Sequence, residues 1–179
     1  MTSKNDRAAI LMASIMYSAN IYRDTPYTCS ILVSPGNGDP MYMYPLQLTG
    51  ALPYLAAIPI LLKPLNWFTR LYLHTILIST TIGILWHSLS EPEGMIKFAD
   101  YYAAFCWLVL DLLWCKIFNN PDIIIYNIYT IIIHCLIDLF IDKKSFNYIM
   151  YHSAWHVLFA IKSVYVSCII WKYDRFTDS

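Results

Sequence analysis

The sequence predicts an all-α, polytopic transmembrane helical bundle of five or six spans, and three observations predict it. Hydrophobic residues make up 58% of the 179 residues and charged residues only 13%, with a mean hydropathy of +0.48. Soluble domains carry about 25% charged residues. The apolar residues gather in runs long enough to cross a bilayer core of ~30 Å, which takes about 17–25 helical residues. The runs are separated by brief segments of turn formers and charges that end a span. The formal net charge is +0, so the chain has no basic field for nucleic acid, and its length suits a single domain.

The N-terminal segment, residues 1–45, comes first. Residues 8–22 are apolar, follow Lys4 and Arg7, and are short for a span. Three readings fit them: a sixth helix, an interfacial helix, or a signal peptide ending in the small residues Ser18-Ala19. The stretch that follows, with Pro26, Pro35, Gly36, Gly38 and Pro40, reads as a polar loop.

Residues 46–172 form the transmembrane domain. The run 46–62 is short, contains Pro53 and Pro59, and is bounded by Lys63-Pro64. The run 70–89 is rich in Ile and Leu. The run 100–118 is aromatic and carries Asp111. The run 123–141 holds His134 and Asp138, and the run 146–171 is the longest and carries Lys162. Residues 90–94, 119–121 and 142–145 connect them. Trp67 and Trp171 stand at span ends, where an interfacial aromatic belt places such rings. Residues 173–179 read as a polar C-terminal tail. The cysteines (Cys29, Cys106, Cys115, Cys135 and Cys168) form no Cys-x-x-Cys and are odd in number, so they read as small buried hydrophobes.

Loop charge gives an orientation only if residues 8–22 span. Lys4, Arg7, Lys63, Arg70, Lys116, Lys172 and Arg175 then share one side, against Arg23, Lys97, Lys143 and Lys144 on the other. The excess favours cytoplasmic termini. Without that helix Lys4 and Arg7 change sides and the bias all but vanishes.

Ionisable groups within spans cost at least ~2.5 kcal/mol at the bilayer centre and usually face a cavity or a partner. Tracing the chain through the bilayer places His87, Asp100, His152 and His156 on one membrane side, for either helix count. His152 and His156 are spaced i, i+4, so both imidazoles leave the helix in the same direction. With His87 as a third ligand they match a catalytic zinc site of three nitrogens and one water. Such a metal lowers the pKa of its water toward ~7 and polarises a carbonyl, and Asp100 is placed to accept the proton or to orient a ligand. The plainer reading is that these histidines are interhelical hydrogen-bond partners. His87 lies near the end of its run and His156 about ten residues into the last, a depth difference of up to ~15 Å. His134 and Asp138, also i, i+4, read as further ligands, supporting groups or a satisfied polar pair. His74 reads as interfacial, Asp111 and Lys162 as a possible ion pair, and Glu91 and Glu93 as a solvated loop.

Trp86-His87, then Asp100 at the head of the next helix, then Tyr151-His152-Ser153-Ala154-Trp155-His156 in the last, resemble the CREST superfamily of membrane proteins. That group includes the alkaline ceramidases, the progestin and adipoQ receptors and the myomaker-like proteins. The last helix is most like that of the ceramidases, and residues 81–87 resemble the ceramidase second helix. Cys135-Leu136-Ile137-Asp138 weakly resembles its sixth. The resemblance implies that His87, His152 and His156 bind Zn2+ and that Asp100 activates water or orients the metal. It also implies hydrolysis of a lipid amide, with a ceramide-like lipid reaching the site from the bilayer. The chain departs from the family in carrying Gly83 where the ceramidase motif has Ser, in having two fewer helices, and in lacking the acidic calcium motif. The Ser departure favours an alternative, a non-catalytic receptor or membrane-remodelling protein that keeps a structural metal site. A third reading is an unrelated helical membrane protein whose histidines only pack.

Overall fold

Proline and the bilayer together dictate how this chain is cut into helices. A computed structural model describes residues 43–62, 66–92, 94–143 and 145–177, with side chains as far as residue 173. The order is α1 (Tyr44–Gly50), a 3-10 helix (Leu52–Ala56), α2 (Ala57–Leu61), α3 (Trp67–Ser88), α4 (Met95–Phe118), α5 (Asp122–Phe140) and α6 (Phe146–Thr177). Residues 1–42, with the three readings of residues 8–22, lie outside the described residues.

The run expected as a single span over 46–62 is not one helix. Pro53 cannot donate to the carbonyl of Thr49, nor Pro59 to that of Leu55, so the α-helical ladder is interrupted twice. The backbone nevertheless stays right-handed through Ala51 (φ −79°, ψ −18°) and Ala57 (φ −71°, ψ −25°). The result is a broken helical rod over residues 44–61. Among the described residues four helices, α3 to α6, are long and apolar enough to cross a membrane. Their bounds lie close to the predicted runs, except that α4 begins five residues early, at Met95, and α6 continues through Thr177 beyond the expected boundary at 172.

The helix ends follow from local chemistry. Asn66 caps α3 by accepting from the backbone N–H groups of Phe68 (3.0 Å) and Thr69 (2.8 Å). Gly94 precedes α4 at φ 114°, ψ −151°, a region open essentially to glycine alone. Asn119, in the left-handed region at φ 49°, ends α4 in a Schellman turn: its N–H reaches the Lys116 carbonyl and that of Asn120 reaches Cys115. Ser145 Oγ accepts from the Tyr148 N–H and starts α6.

α6 is the axis of the bundle. It packs against α1, the 3-10 helix, α2 and α5, while α3 packs on α4 and α1. The main core lies between these helices around Tyr72, Ile76, Trp107, Trp114, Val166 and Ile170. A polar network crosses it. Lys162 Nζ lies 2.6 Å from Asp111 Oδ2, so the ion pair that the sequence allowed is made, and both residues are buried. Tyr72 donates to the other Asp111 oxygen at 2.7 Å, Trp107 Nε1 donates to Tyr72 at 3.1 Å, and Lys162 also donates to Asn127 Oδ1 at 3.3 Å. The ammonium sits 4.3 Å from the Phe159 ring centroid. One network therefore ties α3, α4, α5 and α6 together. Isolated charges there would be very costly, and pairing with extra hydrogen bonds offsets that cost.

The cysteines are less uniform than expected. Cys115 is buried, Cys106 and Cys168 are half-buried, and Cys135 is exposed on α5. Cys29 lies outside the described residues.

Candidate metal centre

The three histidines singled out by spacing and span order meet. His87 at the end of α3, and His152 and His156 on α6, are all buried, and one ligand atom of each lies within 4.8 Å of the others. Their ring centroids are 5.2, 4.9 and 4.8 Å apart. The depth difference is absorbed because α6, at 32 residues, spans ~48 Å and overhangs the 22-residue α3. Its first turns project past the end of α3, where Tyr148 meets Glu91, and His156 lies level with His87.

Each ring is held from behind. His87 Nδ1 lies 2.9 Å from Glu91 Oε1, His152 Nδ1 lies 2.8 Å from the Tyr148 hydroxyl, and His156 Nδ1 lies 3.1 Å from Thr49 Oγ1. The pattern sets the tautomers. The Glu91 carboxylate only accepts, so His87 Nδ1 donates. Tyr148 gives its proton to Glu91 Oε2 at 2.7 Å, so its oxygen accepts from His152. Thr49 gives its proton to the Pro45 carbonyl at 2.8 Å, so its oxygen accepts from His156. Every Nδ1 is then a donor, and in a neutral ring Nε2 carries the free lone pair.

His87 Nε2 and His156 Nε2 are 3.2 Å apart. A proton on one of them makes this contact a hydrogen bond, and a cation in front of both satisfies the two lone pairs instead. Two nitrogens bound at 2.0–2.1 Å to a tetrahedral ion are about 3.3 Å apart. The cluster could thus hold a metal ion: its donors suit one, the His87–His156 spacing matches, and each ring has the outer hydrogen bond such sites use. Gly50 packs against the rings: a Cβ there would lie 3.4 Å from His156 Cε1 and 3.6 Å from His87 Cδ2.

Glu91 corrects the sequence reading. It was expected in a solvated loop, yet it is 0% exposed. α3 ends in a second Schellman turn, in which the Ser90 N–H meets the His87 carbonyl and the Glu91 N–H meets Trp86. Ser90 (φ 62°) and Glu91 (φ 54°) both take the left-handed conformation, at a cost of about 1–2 kcal/mol each. That turn folds Glu91 back beneath the ring of His87. Glu93 lies outside the described residues. Sequence reasoning missed Glu91, Tyr148, Thr49 and Gly50. Two of them had a signal, since Glu91 is i+4 from His87 and Tyr148 is i−4 from His152. Thr49 and Gly50 had none.

Asp100 is not among the ligands. It lines the adjoining cavity opposite Gly83, where a Cβ would lie 3.2 Å from Asp100 Oδ1. The cavity measures about 330 Å³ and runs from the three histidines toward Ser79, Trp107 and Phe159. Its lining is mostly apolar. The lining residues also exposed at the bundle surface are Tyr101, Ala104, Phe105, Ile131 and Cys135, all on α4 and α5, so the cavity opens between those two helices.

His134 and Asp138 stand at this opening without joining the cluster. His134 Nδ1 is 3.9 Å from Asp138, which accepts a 3.0 Å bond from Tyr101 and faces Lys143 at 3.8 Å. The pair is close but not hydrogen-bonded, and Asp138 Oδ1 has no hydrogen-bond partner among the described residues. His74 is exposed at the other end of α3, bonded to the Arg70 carbonyl.

No family model, no curated protein and no solved structure matches this chain.

Proposed function

We propose that this chain is a multi-pass membrane hydrolase that holds zinc at His87, His152 and His156 and cleaves a ceramide-like lipid amide. The observation that carries the reading is the convergence of three buried imidazoles at one end of an apolar cavity with Asp100 in its wall. The broken rod over 44–61 serves as a fifth span, tolerated because its interrupted backbone is covered by α6 and α3.

A zinc ion in such a cluster supplies Lewis-acid polarisation of a carbonyl and acidification of water. The protein's own residues do the rest. The opening between α4 and α5 admits an apolar chain sideways from lipid, and the cavity takes it up with its amide at the histidine end. Asp100 accepts a proton at its carboxylate and returns it to the leaving amine. Glu91, Tyr148 and Thr49 hold the rings in the tautomer that leaves Nε2 free. The resemblance of residues 78–170 to the CREST superfamily supports the same reading.

Gly83 favours a second reading, in which the centre is structural and the protein is a receptor or membrane-remodelling protein. A rate-supporting hydroxyl expected at that position is missing, and a comparable donor is worth about 10²–10³ in rate elsewhere.

Metal content of detergent-purified protein tests the proposal. We expect about one zinc per chain, lost in His152→Ala, together with release of fatty acid from a long-chain N-acyl amide. Protein without zinc under non-chelating conditions overturns both readings. Zinc-loaded protein that turns over no lipid amide leaves only the second.

A further inference from the structure

Hydroxyl side chains in apolar helices usually bond the carbonyl one turn back, because hydrocarbon offers no other partner. α3 follows this rule at Thr75, Thr81 and Ser88, which donate to Leu71, Leu77 and Ile84 at 3.0, 2.7 and 2.7 Å. Thr80 does not. Its Oγ1 is buried and has no hydrogen-bond partner among the described residues, although the residue is only 4% exposed. Leaving such a group unsatisfied costs about 1–3 kcal/mol.

Thr80 lies in the cavity wall with Oγ1 shielded in the observed rotamer, and a χ1 rotation, which threonine on a helix permits, turns it to face the cavity. On α3 it is seven residues before His87 and three before Gly83, so the three share one face, with Thr80 ~10 Å along the axis from the histidine. Gly83, without a side chain, leaves the stripe between them open. The surrounding cavity wall is otherwise largely apolar, with Trp107, Leu108 and Phe159 on it. A ligand chain leaving the histidine cluster and following this stripe passes Thr80 about 10 Å from its carbonyl.

We infer that Thr80 is a specificity-determining residue: its hydroxyl hydrogen-bonds an oxygen, such as a hydroxyl, borne mid-chain by the apolar ligand. The inference rests on the proposed lipid-amide reading for the placement of the carbonyl at the metal. It goes beyond that reading in selecting oxygenated chains over plain ones. The ligand oxygen meets a group that has no partner among the described residues, while an unsubstituted methylene leaves it unsatisfied.

The test compares two amides of equal length, octadecanamide and 10-hydroxyoctadecanamide, whose hydroxyl lies roughly 10 Å from the carbonyl, matching the offset along α3. Affinities are measured by competition against a fluorescent long-chain amide on zinc-supplemented protein in nanodiscs. Wild type is expected to bind the hydroxy amide five- to tenfold more tightly, the ratio one hydrogen bond supplies. Thr80→Val is expected to bind both alike, with metal content and affinity for the plain amide unchanged. Thr80→Ser is expected to keep the preference, which also guards against misfolding of the valine variant. Equal binding of the two amides by wild type overturns the inference, as does a preference that survives in Thr80→Val. The readout is binding, so its failure is separable from that of the hydrolase reading. Turnover of both amides at equal affinity removes only the Thr80 subsite. A Thr80-dependent preference in protein that hydrolyses neither removes only the hydrolase.

Discussion

The carboxylate of Glu91 lies 2.9 Å from Nδ1 of His87 and, through its second oxygen, accepts a 2.7 Å bond from Tyr148, whose hydroxyl in turn holds His152. One fully buried acid therefore orients two of the three rings, from two different helices. Among the described residues its ion-pair partner is His87, so a proton on that ring or a cation at the cluster balances its charge.

Replacing Glu91 should consequently weaken metal binding without removing a ligand. Glu91→Gln is expected to lower zinc affinity by about 10–100-fold, with Tyr148→Phe milder because it frees only one ring. Competition against a chromophoric chelator measures this, and an unchanged affinity in Glu91→Gln contradicts the assigned role.

Gly50 sets how closely the broken rod approaches the site. Its substitution by alanine brings a Cβ to 3.4 Å from His156, an ordinary if close contact, so Gly50→Ala should retain zinc. Gly50→Leu must displace His156 or His87 and should lose it. Equal zinc content in the alanine and leucine variants would show that the rod can retreat.

Asp100 acts outside the ligand set. Asp100→Asn should leave zinc content intact while lowering amide hydrolysis by about 10²–10⁴. Loss of zinc instead would make Asp100 a support for the metal rather than a proton acceptor. Gly83→Ser probes the same wall, since its Cβ meets Asp100 Oδ1 at 3.2 Å and the carboxylate must give way by a few tenths of an ångström.

The Lys162–Asp111 pair predicts strong non-additivity. Lys162→Met strands a buried carboxylate and should destabilise the bundle by about 3–5 kcal/mol, whereas Asp111→Asn with Lys162→Met should recover much of that loss. Thermal unfolding in detergent of the single and double variants gives the comparison. Additive losses would mean that the two groups do not depend on each other.

The sequence by itself determined the helical membrane class, the four long helices and their approximate ends, because bilayer thickness fixes run length and proline, glycine and charge mark the breaks. It also determined that His152 and His156 point the same way, since that is helix geometry, and span order placed His87 and Asp100 at their end. Chain reversal and packing decided the rest. Only the left-handed turn at Ser90 and Glu91 turns a loop acid into a buried support. Only the overhang of α6 brings His87 level with His156, and only the docking of α1 delivers Thr49 and Gly50 to the rings. Asp111 met Lys162 across helices whose rotation no run of apolar residues specifies. The separation of Asp100 from the ligands likewise depends on the distance between α3 and α4, which is set by the missing side chain at Gly83 and the rings packed below it. Those distances belong to contacts between helices, and a one-dimensional pattern carries directions along each helix but not the spacing between them.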